Sequence, residues 1–263
     1  MSSSIGIFDS GLGGLTVLKV LAEKFPQESF TYLGDIARLP YGNKSPETIR
    51  RYGLQILDFL VEQKVKAIII ACNSASSVFL GETSYRGIPL LNVIEPGARA
   101  ALKLSTDKKI AVLGTSATIR SHAYAQTIKT LDPAAQVLEQ ACPLLVPLVE
   151  EGMINDPITQ AICERYLQEV KNKAFSTVIL GCTHYPVIKQ DLFKVLGEGV
   201  RLVESGEVLA SQITELFAQN TLGVSTKPSN IRVCITDLTD HFERLATQLM
   251  APQKISVLER VVL

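Results

Sequence analysis

Two cysteines stand in matching surroundings. Cys72 follows the apolar run Ala67-Ile68-Ile69-Ile70-Ala71 and precedes Asn73-Ser74-Ala75. Cys182 follows Val178-Ile179-Leu180-Gly181 and precedes Thr183-His184-Tyr185. A lone cysteine is most often a small buried apolar residue, and Cys142, Cys163 and Cys234 are read that way. Two thiols at the same point of two similar stretches, each followed by small polar residues, point instead to chemistry at one site. A thiol with an ordinary pKa of about 8.5 is only a few per cent thiolate at neutral pH, so an acid-base role needs helpers. A helix starting just after each cysteine would favour the thiolate. Asp9 ends the first apolar strand, a neighbour of the Cys72 strand, and can orient the Cys72 proton or favour the neutral thiol. Its plainer role would be to cap a helix from Leu12 onward. His184, two residues past Cys182, can exchange a proton with it or pair with it electrostatically. His122 and His241 fall on expected helices and read as surface positions.

Short apolar runs rich in Ile and Val read as strands buried on both faces. Ile5–Phe8 leads into the glycine-rich loop Asp9-Ser10-Gly11-Leu12-Gly13-Gly14, and Leu15, Leu18, Leu21 and Ala22 then recur at helical spacing. Ser29–Leu33 is a second strand, running into the irregular stretch 34–42. Ser45-Pro46 opens a helix with an apolar face of Ile49, Tyr52, Ile56, Leu57 and Leu60. After the Cys72 strand come a helix from about Ala75 and a strand at Leu90–Val93. The pattern then restarts with Ile110–Gly114, the polar Thr115-Ser116-Ala117-Thr118, a weak strand at Val137-Leu138, a helix opened by Pro157, the Cys182 strand with its helix, and Arg201–Val203. The tail gives helix 207–219, strand 231–235, helix 239–249 and strand 255–258, with a polar linker at Asn220–Asn230. The cysteines lie 110 positions apart, at 72 and 182, a domain-sized repeat rather than a solenoid period.

This pattern predicts an α/β fold of two pseudo-symmetric parallel-sheet domains with the active site in the cleft between them. Residues 1–93 with 205–263 would form the first, discontinuous domain and 94–204 the second. Ligands of such sheets bind at the carboxyl ends of the strands, where Asp9, Ser10, Tyr41, Cys72, Thr115 and Cys182 would gather.

The chain has 263 residues, is 46% hydrophobic and 20% charged, and carries no net charge. No basic excess points to nucleic acid, and no apolar run is long enough to span a membrane. The first residues do not read as a signal peptide, so a cytoplasmic protein is expected. Five cysteines and no C-x-x-C pair argue against a disulfide framework, and the three histidines lack metal-motif spacing. Gly11-Leu12-Gly13-Gly14 is not a dinucleotide fingerprint. No cofactor and no metal is therefore expected. Ser10, Asn73, Ser74, Thr115, Thr118 and Thr183 can hold the carboxylates and ammonium of an amino acid. Two thiols on opposite faces of such a substrate fit racemisation next to a carboxylate, one acting as base and the other as acid. A binding domain that needs neither thiol and a thiol-disulfide enzyme are the rival readings.

The stretches Phe8-Asp9-Ser10-Gly11-Leu12-Gly13-Gly14, Pro40-Tyr41-Gly42, Ala71-Cys72-Asn73-Ser74-Ala75 and Gly181-Cys182-Thr183-His184-Tyr185-Pro186 resemble the glutamate racemase family, in order and spacing, from Ile5 to about Ala218. The resemblance implies cofactor-independent interconversion of L- and D-glutamate, supplying D-glutamate for peptidoglycan. It implies Cys72 and Cys182 as the acid-base pair, acting on D- and L-glutamate respectively, with Asp9 and His184 as their assistants. It implies substrate contacts from Asp9, Ser10, Pro40, Tyr41, Gly42, Asn73, Ser74, Thr183 and His184, and further pocket positions at Thr115, Thr118 and Glu150. Ser74 departs from the family's usual threonine but keeps the hydroxyl. His184 favours glutamate over aspartate, because similar aspartate racemases typically carry a glutamate there. The short N-terminus lacks the extension of members activated by a cell-wall precursor, so constitutive activity is expected. A homodimer is a possible assembly.

Overall fold

The computed structural model describes residues 4–219, 221–225 and 229–263. Asn220 and residues 226–228 of the expected polar linker, like positions 1–3, lie outside the described residues. The first half runs β1 (Ile5–Asp9), α1 (Leu15–Lys24), β2 (Phe30–Gly34), α2 (Pro46–Glu62), β3 (Ala67–Ile70), α3 (Asn73–Val78), β4 (Ser84–Tyr85) and β5 (Ile88–Asn92). The second runs α4 (Ile94–Leu104), β6 (Lys109–Gly114), α5 (Ser116–Arg120), α6 (Ala123–Leu131), β7 (Gln136–Ala141), α7 (Leu145–Glu150), α8 (Pro157–Asn172), β8 (Thr177–Gly181), α9 (Lys189–Leu196) and β9 (Arg201–Val203). The tail adds α10 (Ser205–Ala218), β10 (Ile231–Ile235), α11 (Asp240–Met250) and β11 (Val257–Arg260).

Local chemistry accounts for the element boundaries. At the start of α2, Pro46 needs no N–H partner and the Ser45 hydroxyl accepts the Thr48 N–H at 3.3 Å. Asp156 does the same for α8, taking the Ile158 N–H at 2.8 Å ahead of Pro157. The four residues of β3 are completely buried, as an all-apolar central strand must be.

Two sheets result, ordered β11-β10-β2-β1-β3-β5-β4 and β7-β6-β8-β9. The segments β2-β1-β3-β5 and β7-β6-β8-β9 repeat one order, with each half's opening strand beside its cysteine strand. All the pairings in these two segments are parallel, with Phe8 opposite Ile70 and Gly114 opposite Gly181. The departure from parallel order is β4, which pairs antiparallel with β5 at one edge. The tail strands β10 and β11 extend the first sheet beside β2. A continuous apolar cluster joins the facing sides of the halves, from Ile5, Ile7 and Ile69 through α1, α4 and α10 to Ile110, Val112 and Ile179. Among the described residues, no helix is long and apolar enough to cross a membrane.

Several elements differ from the sequence reading. Helix α4, whose Ile94, Ala98 and Ala101 recur at helical spacing, and the short α7 were not expected from the sequence. The weak strand at Val137-Leu138 extends over six residues as β7, partly buried along most of its length. Behind Cys182 the chain makes a single 3-10 turn, Tyr185–Ile188, before α9, so no regular helix starts at that thiol.

Candidate active site

Parallel pairing sets the ends of β1 and β3 side by side, and the polypeptide leaves both strands on the same edge of the sheet. Cys72 lies two residues beyond β3, at the cap position of α3, and Cys182 directly follows β8. Both thiols, almost buried at 5% and 6% exposure, line a single cavity of about 310 Å³ between the two halves. Ser10, Pro40, Tyr41 and Gly42 form part of its wall from the first half, with Asn73 and Ser74. Thr115, Glu150, Thr183 and His184 face them from the second. Asp9 and Thr118 stand behind this wall: Asp9 is completely buried, and Thr118 is reached through its neighbours.

The two thiols have different partners. Cys72 Sγ donates to the Ser10 hydroxyl at 3.5 Å. Burial raises its pKa and the nearby Asp9 charge raises it further, to about 12, against the lowering effect of Ser10 and the Ala75 N–H. The helix start behind Cys72 was expected to favour the thiolate; that contribution is present but outweighed, and the thiol stays neutral. Asp9 does not cap α1. One carboxylate oxygen accepts the Gly11 N–H at 2.9 Å and the other accepts the Thr183 hydroxyl at 3.2 Å. Burial raises the Asp9 pKa, opposed by the charge of His184 and by these hydrogen bonds.

Cys182 faces an imidazole. Its Sγ lies 3.7 Å from His184 Nδ1, and His184 Nε2 lies 3.0 Å from Glu150 Oε1. Burial alone would lower the His184 pKa; the hydrogen bonds to Cys182 and Glu150 overcome it and hold it at about 10. The ring is therefore an imidazolium at neutral pH, a positive charge beside the Cys182 sulfur. Gly13 makes this approach possible: a Cβ there would fall 2.4 Å from His184 Nδ1 and 2.5 Å from Thr183 Oγ1. Thr16, in the first turn of α1, donates to the Thr183 carbonyl at 2.9 Å and ties the same loop to the first half.

Beside the cavity three hydroxyls meet. Ser74 Oγ lies 2.8 Å from Thr115 Oγ1 and 3.2 Å from Thr118 Oγ1, and the two threonines are 3.1 Å apart. Gly42 packs directly on Thr115, where a Cβ would come within 2.7 Å of the threonine Cβ. Asn73 receives a hydrogen bond from the Tyr124 hydroxyl at 2.7 Å. Tyr41 reaches behind the wall and donates to the buried Asp35, which Arg38 Nε also contacts at 2.7 Å. The cavity wall includes no lysine or arginine, so an anionic ligand would be held by hydroxyls, backbone N–H groups and the His184 charge. Sequence reasoning missed the apolar part of the wall, Pro143, Val146 and Pro147 at α7; two prolines four residues apart were its only signal. It also missed Tyr124 and Thr16, whose hydroxyls act only once distant elements meet. A larger cavity of about 530 Å³, between α4 and α10, contains neither thiol nor imidazole, and most of its carboxylates already pair with basic side chains. Among the described residues, no group of three or more His, Cys, Asp or Glu side chains could hold a metal ion.

Known proteins share this architecture. The glutamate racemase of Geobacter metallireducens is 41% identical over 94% of this chain and 92% of its own length. That of Syntrophus aciditrophicus is 42% identical over 98% and 96%. Among solved structures, glutamate racemase isoform RacE1 from Bacillus anthracis superposes with a TM-score of 0.93 at 34% identity, covering 99% of this chain and 98% of that one. Glutamate racemase from Francisella tularensis, solved in complex with D-glutamate, gives 0.90 at 36% identity with the same coverage. A family model for Asp/Glu/Hydantoin racemase matches residues 14–213. With a thiol from each half lining one cavity and relatives this similar over nearly their full length, the chain belongs to the Asp/Glu/Hydantoin racemase family.

Proposed function

We propose that this racemase interconverts L- and D-glutamate with Cys72 and Cys182 as its two acid-base groups. The carrying observation is that the two thiols line one cavity from opposite halves with unlike partners. In the L-to-D direction the Cys182 thiolate takes the Cα proton, and the Cys72 thiol delivers its own proton to the opposite face. The product leaves with Cys182 protonated and Cys72 as thiolate, and the return direction runs the same steps backward. Burial and the Asp9 charge keep Cys72 in its proton-bearing form, and the Ser10 hydroxyl accepts its hydrogen bond. His184, steadied by Glu150, balances the charge on Cys182.

Glutamate is favoured over aspartate by the presence of His184 and by relatives that are named for glutamate over nearly their full length. Its carboxylates would meet the wall contributed by Ser10, Tyr41, Gly42, Asn73, Ser74, Thr115 and Thr183, with Thr118 supporting the hydroxyl cluster from behind. The carbanion-like transition state carries charge next to a carboxylate, which is where a water-poor cavity of fixed donors acts most strongly. Supplying D-glutamate for peptidoglycan is the corresponding role. Residues 1–93 with 205–263 would form one α/β body and 94–204 the other, a division supported by the two sheets and their repeated strand order.

The test is D-glutamate formation from L-glutamate by purified protein, dialysed against a chelator and given no cofactor. Racemisation is expected. Absence of product, or activity that returns only with pyridoxal phosphate or a divalent ion, would sink the two-thiol reading.

A further inference from the structure

His241 reads as an exposed residue of α11, remote in sequence from every group in the cavity. In the fold its Nε2 lies 2.7 Å from the main-chain oxygen of Glu150. Glu150 is the last residue of α7, where carbonyls have no partner within the helix. A basic side chain is a favourable partner for such a carbonyl, by hydrogen bonding and by the helix dipole. The same Glu150 sends its carboxylate to His184 Nε2 at 3.0 Å, and His184 Nδ1 meets Cys182 Sγ at 3.7 Å. One chain of contacts therefore runs from a tail helix to a reacting thiol. The tail end is firmly seated: Thr239 caps α11 by accepting the Phe242 N–H at 3.2 Å, and Phe242 is buried beside His241. Helix α7 has only six residues, and His241 adds a side-chain partner to the carbonyl at its end.

We propose that His241 is a positioning residue for the Cys182 side of the site, holding the end of α7 so that Glu150 keeps His184 aimed at the thiol. The inference rests on the two-thiol reading above. The role is one-sided. Cys72 is held by Ser10 and sits near Asp9, and the side-chain hydrogen bonds described for these two go to Cys72, Gly11 and Thr183, not to α7.

The experiment uses a glutamate analogue with a halide leaving group on Cβ. Abstraction of its Cα proton by a thiolate expels the halide and leaves a Cα–Cβ double bond, so no proton has to be returned. Each antipode then reports one thiol, and halide release is the readout. Cys72→Ser and Cys182→Ser first establish which antipode each thiol serves. His241→Ala should slow elimination of the Cys182-dependent antipode about fivefold, the size expected for one lost hydrogen bond. The Cys72-dependent antipode should stay within about twofold. His241→Gln, which keeps an N–H donor at similar reach, should restore most of the loss. In a Glu150→Gln background, His241→Ala should add less than about twofold, because both changes act on one path. Equal slowing of both antipodes, no rescue by glutamine, or an undiminished effect in the Glu150→Gln background would each overturn the inference while leaving the two-thiol reading intact. If the two serine variants do not show opposite antipode preference, the two-thiol reading fails and the inference falls with it.

Discussion

The two halves present the same strand order and the same residue type at the same point, yet they surround it differently. On the first half, burial and, after it, the nearby Asp9 carboxylate hold the Cys72 thiol at about 12. On the second, an imidazole held at about 10 lies 3.7 Å from Cys182. Anion beside one sulfur and cation beside the other give the two thiols opposite surroundings: a neutral thiol at Cys72 and an imidazolium beside Cys182. The fold repeats, and the charges do not. The proposed two-thiol mechanism requires one thiol protonated and one ionised at any moment; on that reading backbone repetition supplies the geometry and the surrounding side chains supply the difference.

The comparison is broken most directly by removing either sulfur. Cys72→Ser or Cys182→Ser should reduce racemisation by at least the roughly 10²–10⁴-fold typical of a lost acid-base group. Each variant should keep elimination of one antipode of the halide-bearing analogue, on the resemblance the D form for Cys182→Ser and the L form for Cys72→Ser. Equal processing of the same antipode by both would mean that one base serves both faces.

Alkylation sharpens the contrast without any turnover. At pH 8, iodoacetamide should label Cys182 about tenfold or more faster than Cys72, since the thiolate is the reactive form. Peptide mass spectrometry gives the ratio, and His184→Asn should shrink it. A faster reaction at Cys72 would reverse the assignment of resting charges.

Asp9→Asn removes the charge that keeps Cys72 protonated. We expect kcat to fall about tenfold, unequally in the two directions. The two enantiomers are equal in free energy, so kcat/KM must fall by one common factor, and the imbalance can appear only as parallel shifts, the direction with the lower kcat also having the lower KM. Progress curves started from each enantiomer measure it. Identical kcat values in both directions would show that Asp9 does not distinguish the thiols.

The His184 charge should also register in folding. Its pKa is raised from 6.5 to about 10, so the protonated form is favoured in the native state. That stabilisation is complete below about pH 6.5 and is lost as the pH rises through 10. Urea unfolding of the wild type and His184→Asn should therefore differ most near pH 6 and converge toward pH 10; a gap that widens with pH would contradict the charged imidazole. The smallest effect is Ser74→Thr. The added methyl keeps the hydroxyl among Thr115 and Thr118, and KM should change by no more than about twofold.

Much of this was legible in the residues. The strands before Cys72 and Cys182 announced themselves by the apolar runs Ala67–Ile70 and Val178–Leu180, and Pro46 and Pro157 marked helix starts through a property of proline alone. What escaped depends on distance. Helix α7 is six residues whose apolar side becomes a wall only opposite Cys182. Tyr124 and Thr16 contribute single hydroxyls whose partners lie 51 and 167 positions away. His241 meets a main-chain oxygen, and no side-chain motif can signal a contact with a carbonyl. The balance of effects on Cys72 was also hidden: a helix start is visible in sequence, whereas the degree of burial that outweighs it is a property of the assembled core.

The repeated order β2-β1-β3-β5 and β7-β6-β8-β9 has a consequence for handedness. A polypeptide of L-residues can repeat itself only by rotation, never by reflection, whereas the two enantiomers are related by reflection. A perfect twofold axis between the sulfurs would offer identical surroundings to the carboxylate, the ammonium and the side chain that it interchanged. Those groups are unlike, so a strictly symmetric cavity could orient neither enantiomer. The three-hydroxyl cluster of Ser74, Thr115 and Thr118 and the imidazolium of His184 are departures from twofold symmetry of the kind this requires. On the proposed mechanism they would let a rotationally repeated chain grip three different substituents in one orientation while the hydrogen alone changes sides.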